Sequence, residues 1–356
     1  MILEDVAKGR DNNLNVVRML AATGVLVSHA WPISLGPGTS EPLFTLTGHS
    51  LGTICVKIFF AISGFLITAS FLRSSTLTRF TLARVLRLFP GLGVSLVFVA
   101  LVMGPLTTNL TVPEYLLSPG TWTFFVRNLT LVQPQYGLPS VFTDNPYPNV
   151  EGSIWTLFHE VVCYLCVFFA GILRIFSKRK LASVFLLLGL FGWLAVSHAS
   201  LPLPYKMEAF LGLALPFAMG VAAWLWRDRI LLSPWIALTL FSFWLALFNV
   251  LGSEPISIAV FSAALTYSVL WIGYMPLGFM RAYNRVGDYS YGMYVYAFPL
   301  QGLAIWLTGG EQSPWFNIAL SFPLTLICAI LSWHLVEKPS LESLKPLLAR
   351  FRSQTI

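Results

Sequence analysis

An all-α integral membrane protein of about ten transmembrane helices, with both termini cytoplasmic, is the fold that this sequence of 356 residues predicts. Three observations carry it. The composition is 56% hydrophobic and 10% charged, with a mean hydropathy of +0.74, values foreign to a soluble domain. Apolar windows of the length needed to cross about 30 Å of hydrocarbon, about 20 residues each, recur ten times along the chain. Finally, 18 of the 22 basic residues fall on one side of those windows, and Lys and Arg accumulate in cytoplasmic loops.

Each window is bounded by its flanks. The first, 14–33, follows Lys8 and Arg10 and carries Arg18 within it, so a cleaved signal peptide is not expected. The second, 50–72, leads into Arg73, Arg79, Arg84 and Arg87, and a third is expected over 88–108, started by Pro90. An external segment, 109–153, follows, rich in Pro, Thr, Asn and aromatics (Trp122, Phe124, Phe125, Tyr136, Tyr147), with Asp144 and Glu151 near its end. That composition suits stacking on sugar rings as well as it suits a cap at the membrane interface. Window 154–174 ends in Arg174, Lys178, Arg179 and Lys180; windows 181–199 and 207–226 lead to Arg227 and Arg229; windows 231–251 and 256–275 lead to Arg281 and Arg285. The last two, 289–307 and 315–336, precede a basic tail with Lys338, Lys345, Arg350 and Arg352.

Only Arg127 and Lys206 fall in opposite loops, so the net charge of +7 reads as a topology signal and a nucleic-acid partner is not expected. Residues 1–339 form one transmembrane domain, and 340–356 a cytoplasmic tail that reads as an interfacial helix interrupted at Pro346. Cys55, Cys163, Cys166 and Cys328 all lie in apolar windows, where small packing residues are expected rather than disulfides or a metal site.

Ionisable residues at bilayer depth are costly and are read as functional by default. Arg18 and His29 are eleven positions apart, which returns to one helix face after three turns with about 16 Å between the two levels. A neutral imidazole accepts a proton from an alcohol, which makes His29 the first catalytic candidate; Arg18 either snorkels to the surface or grips a phosphate or a pantetheine amide. Glu160, one turn inside the fourth window, needs a partner at that depth and is the second catalytic candidate, a carboxylate suited to orienting an imidazole. His159, about 100° away, is expected at the outer mouth. Lys57 is expected to pair with Glu160, and Glu337, one turn from His334, to close a helix end with a basic partner.

Several stretches in chain order then carry a resemblance. Arg18 and His29 in the first window are followed by Phe59-Phe60-Ala61-Ile62-Ser63-Gly64-Phe65-Leu66, by Arg84-Val85-Leu86-Arg87-Leu88-Phe89-Pro90, and by Trp155-Thr156-Leu157 with Glu160 and Tyr164. Tyr289-Ser290-Tyr291-Gly292-Met293-Tyr294 and Val336-Glu337-Lys338-Pro339 complete the set. The pattern resembles the acyltransferase-3 family of membrane O-acyltransferases, of the carbohydrate O-acetyltransferase type without a fused hydrolase domain.

The resemblance implies transfer of an acyl group, acetyl in the first place, from cytoplasmic acetyl-CoA to a sugar hydroxyl of a lipid-linked or exported glycan at a bacterial inner membrane, with no metal. Under it, Arg84, Arg87 and Arg18 hold the CoA phosphates and arm. Ser63, Gly64 and Trp155 shape an acyl pocket or pack helices, and Lys57, Tyr164 and Glu337 support them. His29 serves as general base or as acyl acceptor. The chain departs from the pattern at Tyr296-Ala297-Phe298-Pro299, where many members carry a histidine, so the burden falls on His29 alone. A multi-pass transporter of a solute or glycan precursor is the alternative.

Overall fold

The computed structural model describes residues 1–9, 11–199, 201–276 and 278–353. Arg10 lies outside them, as do residues 354–356 of the tail and the side chains of Arg350 and Arg352. Twelve longer helices follow in chain order: α1 Leu14–Leu35, α2 Leu51–Arg73, α3 Leu77–Val97, α4 Pro119–Thr130, α5 Trp155–Ile172 and α6 Arg179–His198. They continue as α7 Tyr205–Leu225, α8 Pro234–Leu251, α9 Pro255–Tyr274, α10 Ser290–Leu307, α11 Pro314–Ser332 and α12 Leu344–Ser353.

Among the described residues nine helices are long and apolar enough to cross a membrane, which makes this an all-α, multi-pass integral membrane protein. The tenth expected span forms as α10, but its polar-tipped side chains Ser290, Tyr291, Tyr294, Tyr296 and Gln301 lower its hydropathy, and nearly all of it is buried. One boundary moves. Helix α3 starts at Leu77 because the Thr76 side chain accepts from Arg79 N as an N-cap, so Arg79, Arg84 and Arg87 lie on helix rather than in a loop, and Pro90 sits inside the helix instead of starting it. The helix then passes through a π-helical turn, Phe98–Met103, against which Tyr115 donates its hydroxyl to Ala100 O. In the tail, Pro346 falls in the first turn of α12, where a missing N–H costs nothing, and does not interrupt it.

The chain divides into two compact units. The first comprises Met1–Arg18, Ile54–Ser74 and His159–Val286. Its core gathers Phe65, Trp224, Trp244, Phe261 and Tyr274, with Phe65 edge-on to Trp224 at 5.2 Å. Helices α2 and α7 touch backbone to backbone there: a Cβ on Gly64 would lie 2.0 Å from Phe217 O, and one on Gly220 would lie 2.2 Å from Ala61 O. Asn13 caps the end of α9 by donating Nδ2 to the carbonyls of Ile272 and Met275.

The second unit comprises Met19–Thr53, Ser75–Phe158 and Gly287–Ile356. At its centre α10 packs along α11, close enough that a Cβ on Gly292 would lie 2.6 Å from the Cα of Ala329. Segment 109–153 packs against the same helix: Asn145 donates to Gly302 O at 2.9 Å, and Tyr147 meets the ring of Phe298 at 5.7 Å.

Candidate active site

The first unit carries Arg18, Lys57, Ser63, Gly64, Glu160 and Tyr164. Glu160 and Tyr164 are one turn apart on α5, and the tyrosine hydroxyl donates to Glu160 Oε1; Ser63 Oγ donates to the same oxygen at 3.3 Å. Two hydroxyl donors on one carboxylate oxygen supply the partner that bilayer depth demands. The expected pairing of Glu160 with Lys57 is not formed. Six positions separate Lys57 from Ser63, which turns the lysine about 120° around α2 from the face that meets Glu160, and its buried Nζ lies over the ring of Phe261 at 5.3 Å. Gly64 is taken up by the α2–α7 crossing, so its smallness serves helix approach. Arg18 is half-buried with its guanidinium over Phe59 at 5.9 Å. His159 is buried against Phe210, with ring centroids 6.1 Å apart. Cys163 and Cys166 are free thiols.

The second unit carries His29, Arg84, Arg87, Trp155 and Glu337. His29 is half-buried on α1, edge-on to Phe298 of α10 at 5.4 Å, and its Nδ1 is shut off from solvent with no hydrogen-bond partner among the described residues. The residue run that lacks a histidine in α10 thus supplies the aromatic wall beside the one in α1. Pro32, three positions on, has no N–H to give the Ser28 carbonyl, which loosens the helix ladder at this level. Ser28 Oγ in turn donates to Glu41, whose carboxylate also accepts from the N–H groups of Leu51 and Gly52 and so caps α2. Burial nonetheless raises the Glu41 carboxyl above its ordinary range.

Arg84 and Arg87 sit one turn apart on α3, as their spacing requires. The Arg87 guanidinium lies between two acids, 2.6 Å from Asp288 Oδ2 and 3.3 Å from Glu337 Oε2. Ser290 Oγ braces the other oxygen of Asp288 at 2.6 Å, and Ser332 Oγ that of Glu337 at 2.9 Å. The basic partner expected for Glu337 is therefore Arg87, while His334 Nε2 meets Tyr289 OH at 3.2 Å. Trp155 opens α5, half-buried. Just before it, Glu151 is buried, its Oε1 accepting from Gly152 N, Ser153 N and Ser153 Oγ, each at 2.8–3.0 Å.

Asp288, Glu41, Glu151 and Gln301 are polar residues that sequence reasoning missed as parts of these clusters. Asp288 stands 201 positions from its arginine, and none of the four has a spacing pattern that would single it out.

A half-buried imidazole edge-on to an aromatic ring and an arginine held between two acids mark the second unit of this multi-pass membrane protein. The match to the family of acyltransferase domains known as acyltransferase-3 covers residues 11–334, and the chain belongs to that family; it is a membrane acyltransferase. It is similar to Nodulation protein 10 of Rhizobium leguminosarum bv. viciae, 29% identical over 375 residues, covering 97% of each chain. It is also similar to an O-acetyl transferase of Shigella phage Sf6, 26% identical over 356 residues, covering 96% of this chain and 99% of the other. No solved structure matches it.

Proposed function

We propose that this enzyme takes an acyl group, acetyl in the first place, from cytoplasmic acetyl-CoA and places it on a sugar hydroxyl of a lipid-linked or exported glycan at a bacterial inner membrane. Family membership and the similarity to an O-acetyl transferase support the reaction class. The observation that carries the choice of catalytic residue is His29 Nδ1, buried beside Phe298 without a partner among the described residues. A buried polar atom left unsatisfied in a native protein calls for an explanation, and a reacting proton or acyl group supplies one.

Two routes balance. In the first, the imidazole accepts the proton of the sugar hydroxyl as its oxygen attacks the thioester carbonyl; the C–S bond breaks, and the thiolate leaves as CoA-SH with the proton returned from the imidazolium. In the second, one ring nitrogen attacks the thioester carbonyl, the C–S bond breaks and CoA-SH leaves with the proton of the other ring nitrogen; the sugar oxygen then takes the acyl group from the acyl-imidazole and its proton passes to the ring, restoring it. Arg84 and Arg87 meet the CoA phosphates, with the Arg87 guanidinium fixed in place by Asp288 and Glu337. Arg18 and Glu160 are the other residues assigned to the reaction.

The test is mass spectrometry of surface glycans from a deletion strain complemented with the wild type or with His29→Ala at matched membrane abundance. The variant is expected to lose the ester at least 100-fold. A transporter would retain export with a shifted pH dependence, and unchanged acylation in the variant removes His29 from the chemistry.

A further inference from the structure

Gln301 on α10 is fully buried, and its amide is held in one orientation by what it donates to. Nε2 gives one hydrogen bond to Leu26 O at 2.9 Å and the other to Asn317 Oδ1 at 3.0 Å, while Asn317 Nδ2 returns a bond to Gln301 O at 2.9 Å. Both N–H donors are thereby spent, and a flipped amide would set Oε1 against two acceptors. What remains is Gln301 Oε1, buried and without a donor among the described residues. The clamp with Asn317 fixes the side chain; it leaves the carbonyl oxygen unanswered. A buried acceptor is unfavourable until something donates to it.

Its place is informative. Gln301 contacts α1 at Leu26, and Phe298, one turn earlier on α10, contacts α1 at His29. Leu26 lies three residues before His29, a rise of about 4.5 Å. In an acyl-pantetheine thioester the nearest amide nitrogen is separated from the sulfur by two methylenes, about 4 Å at ordinary bond lengths. A thioester presented to His29 therefore carries its first amide N–H at the level of Gln301. A sugar hydroxyl is also a donor, but it must reach the thioester carbonyl itself, at the level of His29.

We propose that Gln301 Oε1 receives the amide N–H of the pantetheine arm nearest the thioester and so positions the acyl donor along the reacting helix. This rests on the acyl-CoA reading above and assigns a positioning residue to it. The experiment uses the full-length enzyme in nanodiscs and two probes: coenzyme A, and an analogue in which that one amide is replaced by an ester, which removes the N–H and keeps the shape. Wild type is expected to bind coenzyme A about tenfold more tightly than the ester, a loss of about 1.4 kcal/mol for one buried hydrogen bond. Gln301→Met is expected to bind both probes alike.

Equal binding of the two probes by wild type overturns the proposal without any variant having to fold. So does a preference that survives in Gln301→Met. Wild type that binds neither probe, while glycan acylation in cells still depends on His29, overturns the CoA reading instead.

Discussion

Glu151 shows how one buried acid ties stability to pH. Three hydrogen bonds from Gly152 and Ser153 favour its carboxylate, yet burial outweighs them and pushes its carboxyl up to about 7. The folded protein therefore holds this proton more tightly than the unfolded chain. The stability it contributes is fully present below the ordinary glutamate value and is lost as pH rises towards 7. Glu151→Gln keeps the accepting oxygen and abolishes the titration. Its thermal midpoint is expected to match wild type at pH 4 and exceed it at pH 8, by an amount reflecting on the order of 3 kcal/mol. An equal difference at both pH values would show that Glu151 does not titrate in this range. Spacing on a single helix made His29, Glu160 and Tyr164 legible in the sequence. Gln301 was not, because a lone amide among apolar residues has no periodic partner, and the Arg87 acids are 201 and 250 positions away.

At the level of helices, hydropathy located the segments but not their contacts. The apolar windows became helices, with α3 beginning eleven residues earlier than its window, because an N-capped, arginine-bearing turn is helical without being apolar. The pairing of α2 with α7 left only its glycines as a trace. Ser63-Gly64 suggested either close approach or space for an acyl chain, and the 2.0 Å from a Gly64 Cβ to Phe217 O decides for approach. A backbone oxygen cannot turn aside as a side chain can, so Gly64→Ala must separate the helices at a cost of about 1–3 kcal/mol or more. Gly212→Ala on the same helix α7 meets nothing within 4 Å. In a detergent melting assay Gly64→Ala is expected to lower the midpoint by several degrees and Gly212→Ala to leave it unmoved. Matching melts would mean that α2 and α7 do not cross at this glycine.

Over the whole chain, topology turns on a single helix. Nine described helices pass as spans on length and apolarity, and an odd number would leave the C-terminus opposite the N-terminus. The excluded helix, α10, is set apart by polar groups whose donors are spent inside its own unit: Tyr291 donates to Leu88 O at 2.7 Å, Tyr294 to Ser153 O at 2.9 Å, and Gln301 to Leu26 O at 2.9 Å. Polar atoms bonded within protein can lie at bilayer depth, where the same atoms facing lipid could not. Low hydropathy in α10 thus reflects burial, and counting it as a span gives an even number that puts Lys338 and Lys345 on the side of the other basic loops. Alkaline phosphatase, active only outside the cytoplasm, is expected to be active when inserted after Thr143 and inactive when fused after Ser353, with a fluorescent fusion showing the reverse. Phosphatase activity at the C-terminal fusion would take α10 out of the membrane and leave the basic tail outside.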